Sequence, residues 1–523
     1  MTPRRWLLAV GALLMLLLVA SGIALFFIDE PLRRYTEAKM NASLKGYTVT
    51  IGKLHFSPVN FSMDLRNTVI IQNQYPDPPV ANIEHLYASV HWRALLSGRV
   101  VGDILIEHPI VVLNLPQARA EIADPTPVKD KGWQEALQAI YPLQINELRI
   151  TRGDVTYQDD GPFKPLRVFD LEFVASNIRN VRSKQGVYPS PMSLQARVFD
   201  TGSLSARGWA DFLADPYAAV MVQIKLDTIA LDYFKPVTNR YNLAVDKGML
   251  SAEGEVEIAP QFKSVKLWSA TVDGIQVDYI QTPARAGAAK EATRETLKAA
   301  DQAQDPGLQF RVDRLDITKS NFGLVNKTTT PNYRVFVADT TVTLTNLSSL
   351  PSGETAIAKL QGKFMGSGPI KADFKLLPTR PGPDFDVAVQ IDETDLTTMN
   401  DLLRAHGKFD VVAGQFSLFT ELQTRNRQVT GYVKPLFQDM EAYDPKQDRE
   451  KSIVRKAYEK VVGGVSKVLQ NRPREEVATR VEISGRLDNP NVSIIETIVR
   501  LVQNAFFKAI LPGFDAELRR TRG

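Results

Sequence analysis

Side chains that could carry chemistry are sparse in this sequence. There is no cysteine, which excludes thiolate metal sites and cysteine nucleophiles. The histidines are His55, His85, His91, His108 and His406. His85 and His91 lie in a strand-like stretch whose extended spacing separates them by about 20 Å, too far to share one metal ion. No HExxH or comparable paired-ligand spacing is present. We therefore predict no metal site, no cofactor and no catalytic residue.

Acidic and glycine-rich stretches do not complete any catalytic motif. The cluster of Asp392, Glu393 and Asp395 lacks the glycine and the terminal glutamate of an EF-hand, so a polar loop is the simpler interpretation. Gly366-Ser-Gly368 lacks the rest of a dinucleotide fingerprint. Neither a GxSxG nucleophile elbow nor a phosphate-binding loop occurs. The prediction is a protein that is not an enzyme.

Charge excludes a second class of function. The 523 residues carry 63 basic and 59 acidic side chains, for a net charge of +4. Nucleic-acid-binding proteins usually show a clustered basic footprint, and this balanced distribution has none. We predict no nucleic-acid partner.

The N-terminus predicts a membrane anchor. The run from Trp6 to Ile28 is uncharged and would be about 35 Å long as a helix, enough for a hydrocarbon core of about 30 Å. A cleaved signal peptide is the rival interpretation, with Gly22-Ile23-Ala24 as its best site. The apolar run continues past that site, which favours a retained anchor. Basic residues flank both sides, so orientation rests on the short stub of residues 1–5 preceding one long external body.

Most of the remaining chain predicts short strands. Apolar residues alternate with polar ones in many segments, which is the two-residue period of a half-buried strand, and glycine and proline separate the segments. Alternation alone is most typical of a closed sandwich or barrel core. Three segments differ: 281–306 predicts a solvated helix or linker, and 447–470 and 494–511 have helical apolar spacing.

An internal repeat is the most informative feature after the anchor. The segment Ile145–Val155 resembles Val312–Phe322, and Val222-Gln-Ile224 matches Val389-Gln-Ile391 at the same separation along the chain. Gly248–Glu255 also resembles Gly414–Glu421, at nearly that separation. Three blocks in one order predict two copies of one β unit, which would stack on each other.

Several motifs follow the anchor in a fixed order. A short helix, Leu32–Leu44, precedes Gly46-Tyr-Thr-Val-Thr-Ile-Gly-Lys-Leu54, and Gly102-Asp-Ile-Leu-Ile-Glu-His-Pro109 comes later. Near the end stands Val481-Glu-Ile-Ser-Gly-Arg-Leu-Asp-Asn-Pro-Asn-Val-Ser493. Together these motifs resemble the AsmA-like proteins of Gram-negative bacteria, in the branch known only as a domain of unknown function, and the last one is similar to the closing β motif of that family.

The resemblance implies a mostly β fold, with a single transmembrane helix followed by repeated antiparallel units in an elongated curved sheet or groove. The implied organisation is a cytoplasmic stub (1–5), a transmembrane helix (6–28), an N-terminal α+β region (29–142), a first β repeat (143–280), a helical or flexible linker (281–309), a second β repeat (310–440), and a C-terminal region with a helix, the closing motif and an amphipathic helix (441–523).

The resemblance also implies a function related to bridge-type lipid transfer proteins. Such a protein would sit in the bacterial inner membrane with most of its chain in the periplasm, and would bind or transfer phospholipid or another membrane lipid in support of outer-membrane homeostasis. The groove candidates are Phe61, Met63, Leu148, Ile150, Val220, Val222, Ile224, Val387, Val389 and Ile391. The candidates for membrane contact are Trp6, Phe506, Phe507 and Ile510.

Two alternatives stay open. The chain could instead be a non-catalytic periplasmic scaffold that positions other envelope proteins. The C-terminal amphipathic helix could plug one end of a groove, touch a membrane, or pack as an ordinary cap.

Overall fold

The computed structural model of this chain describes residues 28–90, 101–124, 126, 131–132, 144–178, 186–214, 217–239, 242–260, 262–282, 308–349, 355–377, 384–407, 410–425, 428–441, 476–478, 480–486 and 502. Within these residues the protein is mostly β, as the alternation predicts. No helix of the described part is long and apolar enough to cross a membrane. The predicted anchor lies outside it, apart from Ile28.

Twenty strands are present in the described residues, in chain order. They are β1 (Tyr47–Ser57), β2 (Ser62–Gln72), β3 (Ala81–Val90), β4 (Val101–Asn114), β5 (Gln144–Gln158), β6 (Leu166–Ser176), β7 (Ser190–Val198), β8 (Gly202–Asp211), β9 (Ala219–Ala230), β10 (Leu243–Ala259), β11 (Phe262–Gln281), β12 (Leu308–Asn326), β13 (Tyr333–Ser348), β14 (Ala356–Phe364), β15 (Gly368–Leu377), β16 (Asp384–Asp395), β17 (Ala413–Arg425), β18 (Gln428–Glu441), β19 (Glu476–Ala478) and β20 (Val481–Arg486).

Strand pairing follows the order of the chain. From β1 to β8, consecutive strands pair antiparallel, except for the parallel pair β4–β5. From β12 to β18 every consecutive pair is antiparallel. β19 and β20 both pair with β18 and together occupy one strand position, and the described strands form an open sheet. The described helices are α1 (Asp29–Ser43), α2 (Leu115–Ala123) in the β4–β5 crossover, α3 (Lys235–Thr238) and α4 (Asn400–Gly407).

The chain divides into two compact units. Unit 1 comprises Met1–Lys225 and Val256–Lys263, and unit 2 comprises Leu226–Glu255 and Ser264–Gly523. In unit 1, α1 lies over the first strands, where Met40 joins a buried cluster with Leu65 and Leu86. The Asn41 amide donates to the Val49 carbonyl (2.8 Å) and accepts from the Val49 N–H (2.7 Å), which fixes the helix on β1. The helix predicted over Leu32–Leu44 is observed, and it begins about one turn earlier, at Asp29.

In unit 2 a second buried cluster lies under the helical segment after β16. A 3-10 turn (Leu396–Met399) leads into α4, and Leu396 and Leu403 are fully buried against Phe416 of β17. Val502 packs against the same cluster. It is the one described residue of the predicted helical segment 494–511, so the described contact favours a packed or plugging role over membrane contact at this position. Segment 447–470 lies outside the described residues, as does 281–306 beyond Thr282.

The repeat seen in the sequence has a counterpart in the backbone. Strands β5 to β9, a 3-10 turn, α3, β10 and β11 are followed by β12 to β16, a 3-10 turn, α4, β17 and β18. Non-glycine residues with positive φ are uncommon, yet Arg152 (φ 52°) and Lys319 (φ 50°) occupy matching positions, as do Asn177 (φ 57°) and Asn346 (φ 58°). These shared irregularities support a repeated β architecture. The predicted domain limits remain predictions.

The cluster beneath α1 predicts a specific loss of stability. Leu65 is 0% exposed and lies opposite Leu54 and Leu86, so Leu65→Ala leaves a cavity that the surrounding strands cannot fill. We expect the free energy of unfolding of unit 1 to fall by about 2–5 kcal/mol, measured by urea denaturation. The control is Arg66→Ala on the exposed face, whose effect should stay within about 1 kcal/mol. Equal losses would contradict this packing.

Candidate functional site

One face of the sheet in unit 1 carries an unbroken apolar row. Register places one residue from each of β1 to β8 directly opposite the next, and every member is apolar. The row runs Leu54, Leu65, Leu86, Ile106, Ile150, Phe173, Leu194 and Ala206. With strands about 4.8 Å apart, the row is about 34 Å long, longer than one lipid acyl chain, which spans roughly half of a 30 Å hydrocarbon core.

Unit 2 has an equivalent row. It crosses β12 to β18 and ends on β20, with one hydroxyl among aliphatic side chains. Its members are Ile317, Val342, Leu360, Ala372, Val389, Thr420, Val433 and Val481. The Thr420 hydroxyl donates to the Tyr432 carbonyl (2.7 Å), so this polar group is satisfied locally. Leu194 of β7 and Leu360 of β14 hold the same place in the two repeats.

The opposite face is ionic. Arg167 of β6 pairs with Asp154 of β5. Arg334 holds the corresponding position on β13 of the second repeat and pairs with Asp278 of β11 (2.9 Å). Lys363 pairs with Asp339 (2.9 Å). An open hollow of about 820 Å³ lies on this face in unit 2. Its lining includes positively and negatively charged side chains, among them Lys359, Asp373, Lys375, Glu421 and Arg480. The two faces of the sheet therefore differ sharply in polarity.

Exposure varies along each apolar row. In unit 1, Leu54, Leu65 and Leu86 are buried beneath α1 (5%, 0% and 4% exposed), whereas Ile106, Ile150, Phe173 and Leu194 are only partly buried. In unit 2, Thr420 and Val433 are buried (5% and 0% exposed), while the row members from Ile317 to Val389 (Ala372 apart) are partly buried. In unit 1, α1 thus covers one end of the row, and partly exposed apolar side chains remain from Ile106 to Leu194.

The groove candidates share this face, with one exception. Leu148 and Ile150 lie on the apolar side of β5, opposite Ala175 and Phe173. Val387, Val389 and Ile391 lie opposite Phe374, Ala372 and Ile370. Met63 is 5% exposed and sits beneath α1 between Phe56 and Ala88.

In β9 the candidates Val220, Val222 and Ile224 alternate with Met221 and Gln223. Val222 is 8% exposed, because Gly208 of β8 approaches it so closely that a Cβ there would lie 2.7 Å from the Val222 Cα.

Phe61 is the exception among the candidates. The alternation predicts a strand that includes it, but β2 begins at Ser62 and Phe61 lies in the β1–β2 turn with φ 46° and 39% exposure. A left-handed turn residue interrupts the two-residue period, which the sequence pattern could not show. The membrane-contact candidates Trp6, Phe506, Phe507 and Ile510 lie outside the described residues.

The described histidines form hydrogen-bonded pairs with acidic groups or with a tyrosine hydroxyl. His55 contacts Asp29 (2.8 Å), His108 contacts Glu84 (2.8 Å), and His406 contacts the Tyr333 hydroxyl (3.3 Å). His91 lies outside the described residues. The polar loop predicted at Asp392, Glu393 and Asp395 is wrong, because all three residues belong to the end of strand β16. Asp395 also accepts the Thr397 N–H (2.9 Å) as the cap of the 3-10 turn. No group of His, Asp and Glu in the described residues has the arrangement of a metal site.

A polar hollow of about 400 Å³ lies at the junction of β1, β2 and α2 in unit 1. Tyr47 donates to Glu121 (2.5 Å), and the buried Lys131 ammonium bridges Glu121 and Asp124. Burial, and then the hydrogen bond to Glu121, raise the pKa of Tyr47 to about 12. These paired groups tie Lys131 to the first strand. The sequence offered no signal for this junction, because Tyr47 and Lys131 are far apart along the chain.

Residues of the apolar rows that were missing from the sequence-based candidates include Leu54, Phe173, Leu194, Ile317 and Leu360. Each sits in an alternating segment, which is the only signal the sequence holds for them. Comparison of the chain with protein-family models found no match, and comparison with curated proteins found none either.

The ionic face of unit 1 predicts a pH-dependent contribution to stability. His85 sits between Glu107 (2.6 Å) and Asp64 (3.0 Å), which requires both ring nitrogens to carry a proton. Burial opposes the charged form, but the hydrogen bonds to Glu107 and Asp64 outweigh it and raise the pKa of His85. Burial likewise opposes the charged Asp64, but its bonds to Arg66 and His85 lower the pKa of that carboxyl.

A raised histidine pKa stabilises the fold fully below about pH 6.5, and the contribution is lost as pH rises through the folded value. The Asp64 contribution is present above about pH 4 and is lost as pH falls. His85→Gln should therefore lower the thermal midpoint more at pH 5.5 than at pH 9. The control is His55→Gln, whose ring is mostly exposed and whose effect should be small at both values. A His85 effect independent of pH would show that the ring is not charged in the folded protein.

Proposed function

We propose that this protein binds acyl chains of membrane lipid on the apolar face of its sheet and passes them along that face, without catalysing a reaction. One observation carries the proposal: a register-aligned apolar row crosses β1 to β8 of unit 1, and its members from Ile106 to Leu194 remain partly exposed. Contiguous exposed apolar surface on a protein normally marks a ligand or partner site. The row's length and its lack of polar groups suit an alkyl chain.

The ionic face supports the same proposal. A sheet that keeps one face charged and the other apolar can remain dissolved while it holds a lipid tail, with the lipid headgroup reaching water at the edges of the strands. The resemblance to AsmA-like proteins agrees with this function. By that resemblance we also propose an inner-membrane anchor at residues 6–28, a periplasmic location for the sheet, and a role in outer-membrane homeostasis.

A scaffold role is the competing proposal. The fully buried clusters around Leu65 and Phe416 favour it locally, because those parts of the apolar face are closed by the protein's own helices. The two proposals differ in what covers the partly exposed stretch of each row, which is lipid in one case and a protein partner in the other.

Substitution of Leu194 separates these proposals. Leu194→Asp places a carboxylate in the apolar row, where an acyl chain would have to desolvate it, while Gln195→Asp places the same group one residue away on the ionic face. The full chain, purified in mild detergent, is measured by native mass spectrometry followed by lipid extraction. We expect phospholipid to accompany the wild type and Gln195→Asp, and to fall about tenfold in Leu194→Asp, a difference of about 1.4 kcal/mol.

Circular dichroism and the thermal midpoint serve as the control for folding. The partial exposure of Leu194 favours a folded variant. If Leu194→Asp is folded and retains wild-type lipid, the row is not the lipid site. A folded, lipid-free wild type would favour the scaffold.

A further inference from the structure

The turn between β1 and β2 in unit 1 exposes apolar side chains at its tip. Ser57 pairs with Ser62, so residues 58–61 form the turn. Val59 is 87% exposed, the largest exposure among the exposed large apolar residues of the described chain, and Phe61 is 39% exposed. Phe61 adopts φ 46°, a conformation that costs a bulky residue on the order of 1–3 kcal/mol. A pair of apolar side chains exposed at the tip of a turn suits contact with an apolar partner.

Contacts fix where this turn lies. β1 runs back along α1 in the opposite direction, as shown by hydrogen bonds from Val49 to Asn41 and from Ile51 to Glu37. At the start of the helix, Asp29 accepts from the Phe56 N–H (3.0 Å) and contacts the His55 ring (2.8 Å). The turn therefore follows directly after the strand residues that touch the first residue of α1.

The segment that predicts a membrane span ends close to this turn. The uncharged run that predicts a membrane span ends at Ile28, which is one residue before α1 and is itself 37% exposed. Val59 lies in the turn, three residues beyond Phe56, which is at most about 10 Å along the chain. A headgroup layer is about 5–8 Å thick on each side of the hydrocarbon core. A tip at this distance from Asp29, on the side away from the rest of α1, would cross that layer.

We infer that the β1–β2 turn is a membrane-contact site, in which Val59 and Phe61 enter the bilayer surface beside the end of the anchor. The partner is a lipid bilayer, because the only long apolar segment of the sequence ends next to the turn. Two attachments, the span and the turn, would hold the first strands in a fixed orientation at the membrane, whereas a single helix would let them rotate. The inference rests on the membrane anchoring that forms part of the proposed function.

The absence of cysteine in the sequence makes the test direct. Val59→Cys and Tyr75→Cys are each made in the full chain, labelled with an environment-sensitive fluorophore and reconstituted into vesicles of phosphatidylethanolamine and phosphatidylglycerol. Tyr75 is the matched control, since it is 39% exposed and lies in the β2–β3 connection at the opposite ends of the strands. Quenching by lipids that carry a nitroxide high on the acyl chain is measured for both labels, and flotation of the vesicles reports anchoring.

We expect the Val59 label to be blue-shifted and quenched at least several-fold more than the Tyr75 label. If the chain floats with the vesicles but the two labels are quenched equally or not at all, the turn inference is wrong while anchoring and the lipid row stand. If the chain does not float, anchoring fails and the inference fails with it. The lipid content of the Leu194 variants is measured separately, so that failure of the lipid row is distinguishable from both.

Discussion

The two-residue period of the strands constrains everything else in this protein. Because consecutive strands pair in register, an apolar side chain on one strand lies opposite an apolar side chain on the next, and single alternating positions merge into rows such as Ile150, Phe173 and Leu194. An open sheet has no second sheet to bury such a face. Something else must cover it, and in unit 1 the helix α1 does so only at one end of the row.

The ionic face contributes little to stability through any one pair. Exposed ion pairs such as Arg334 with Asp278 or Lys363 with Asp339 are typically worth about 0–1 kcal/mol each. Their value lies in keeping that face wetted and in opposing a one-residue register slip, which would bring these charges onto the apolar side. The stability of the units therefore depends mainly on the buried clusters around Leu65 and Phe416, while row members such as Ile150 and Val389 remain partly exposed.

The sequence predicted the parts of the fold that repeat along the chain, and it missed several features that depend on single residues or on packing between distant segments. Alternation identified the apolar side of Leu148, Val222 and Val389, and the constant separation between matching blocks identified the repeat, because both follow from periodicity along the chain. It could not show that Phe61 leaves the strand, since a positive φ has no reliable signature outside glycine and asparagine. The bridge from Lys131 to Glu121 and Asp124 was also invisible, because tertiary packing of a loop against β1 creates it.

The sequence also could not show that part of the apolar face is exposed. The same alternation would serve a closed barrel, and the partial exposure of apolar residues such as Ile150 and Leu194 distinguishes the two. The helix α1 was predicted correctly in its position, yet nothing in Leu32–Leu44 indicated that it would bury Leu65 and Leu86. Such covering depends on packing between elements, which local pattern does not encode.

The most direct test of the lipid face is photo-crosslinking from within it. A photoreactive amino acid is placed at Leu194 or Leu360 on the apolar row, and at the neighbouring Gln195 or Gln361 on the opposite face, in cells fed radiolabelled phosphate. Our account predicts that labelled phospholipid crosslinks to the two leucine positions and not to the two glutamine positions. Equal crosslinking at both faces, or crosslinks only to protein at the leucine positions, would contradict it.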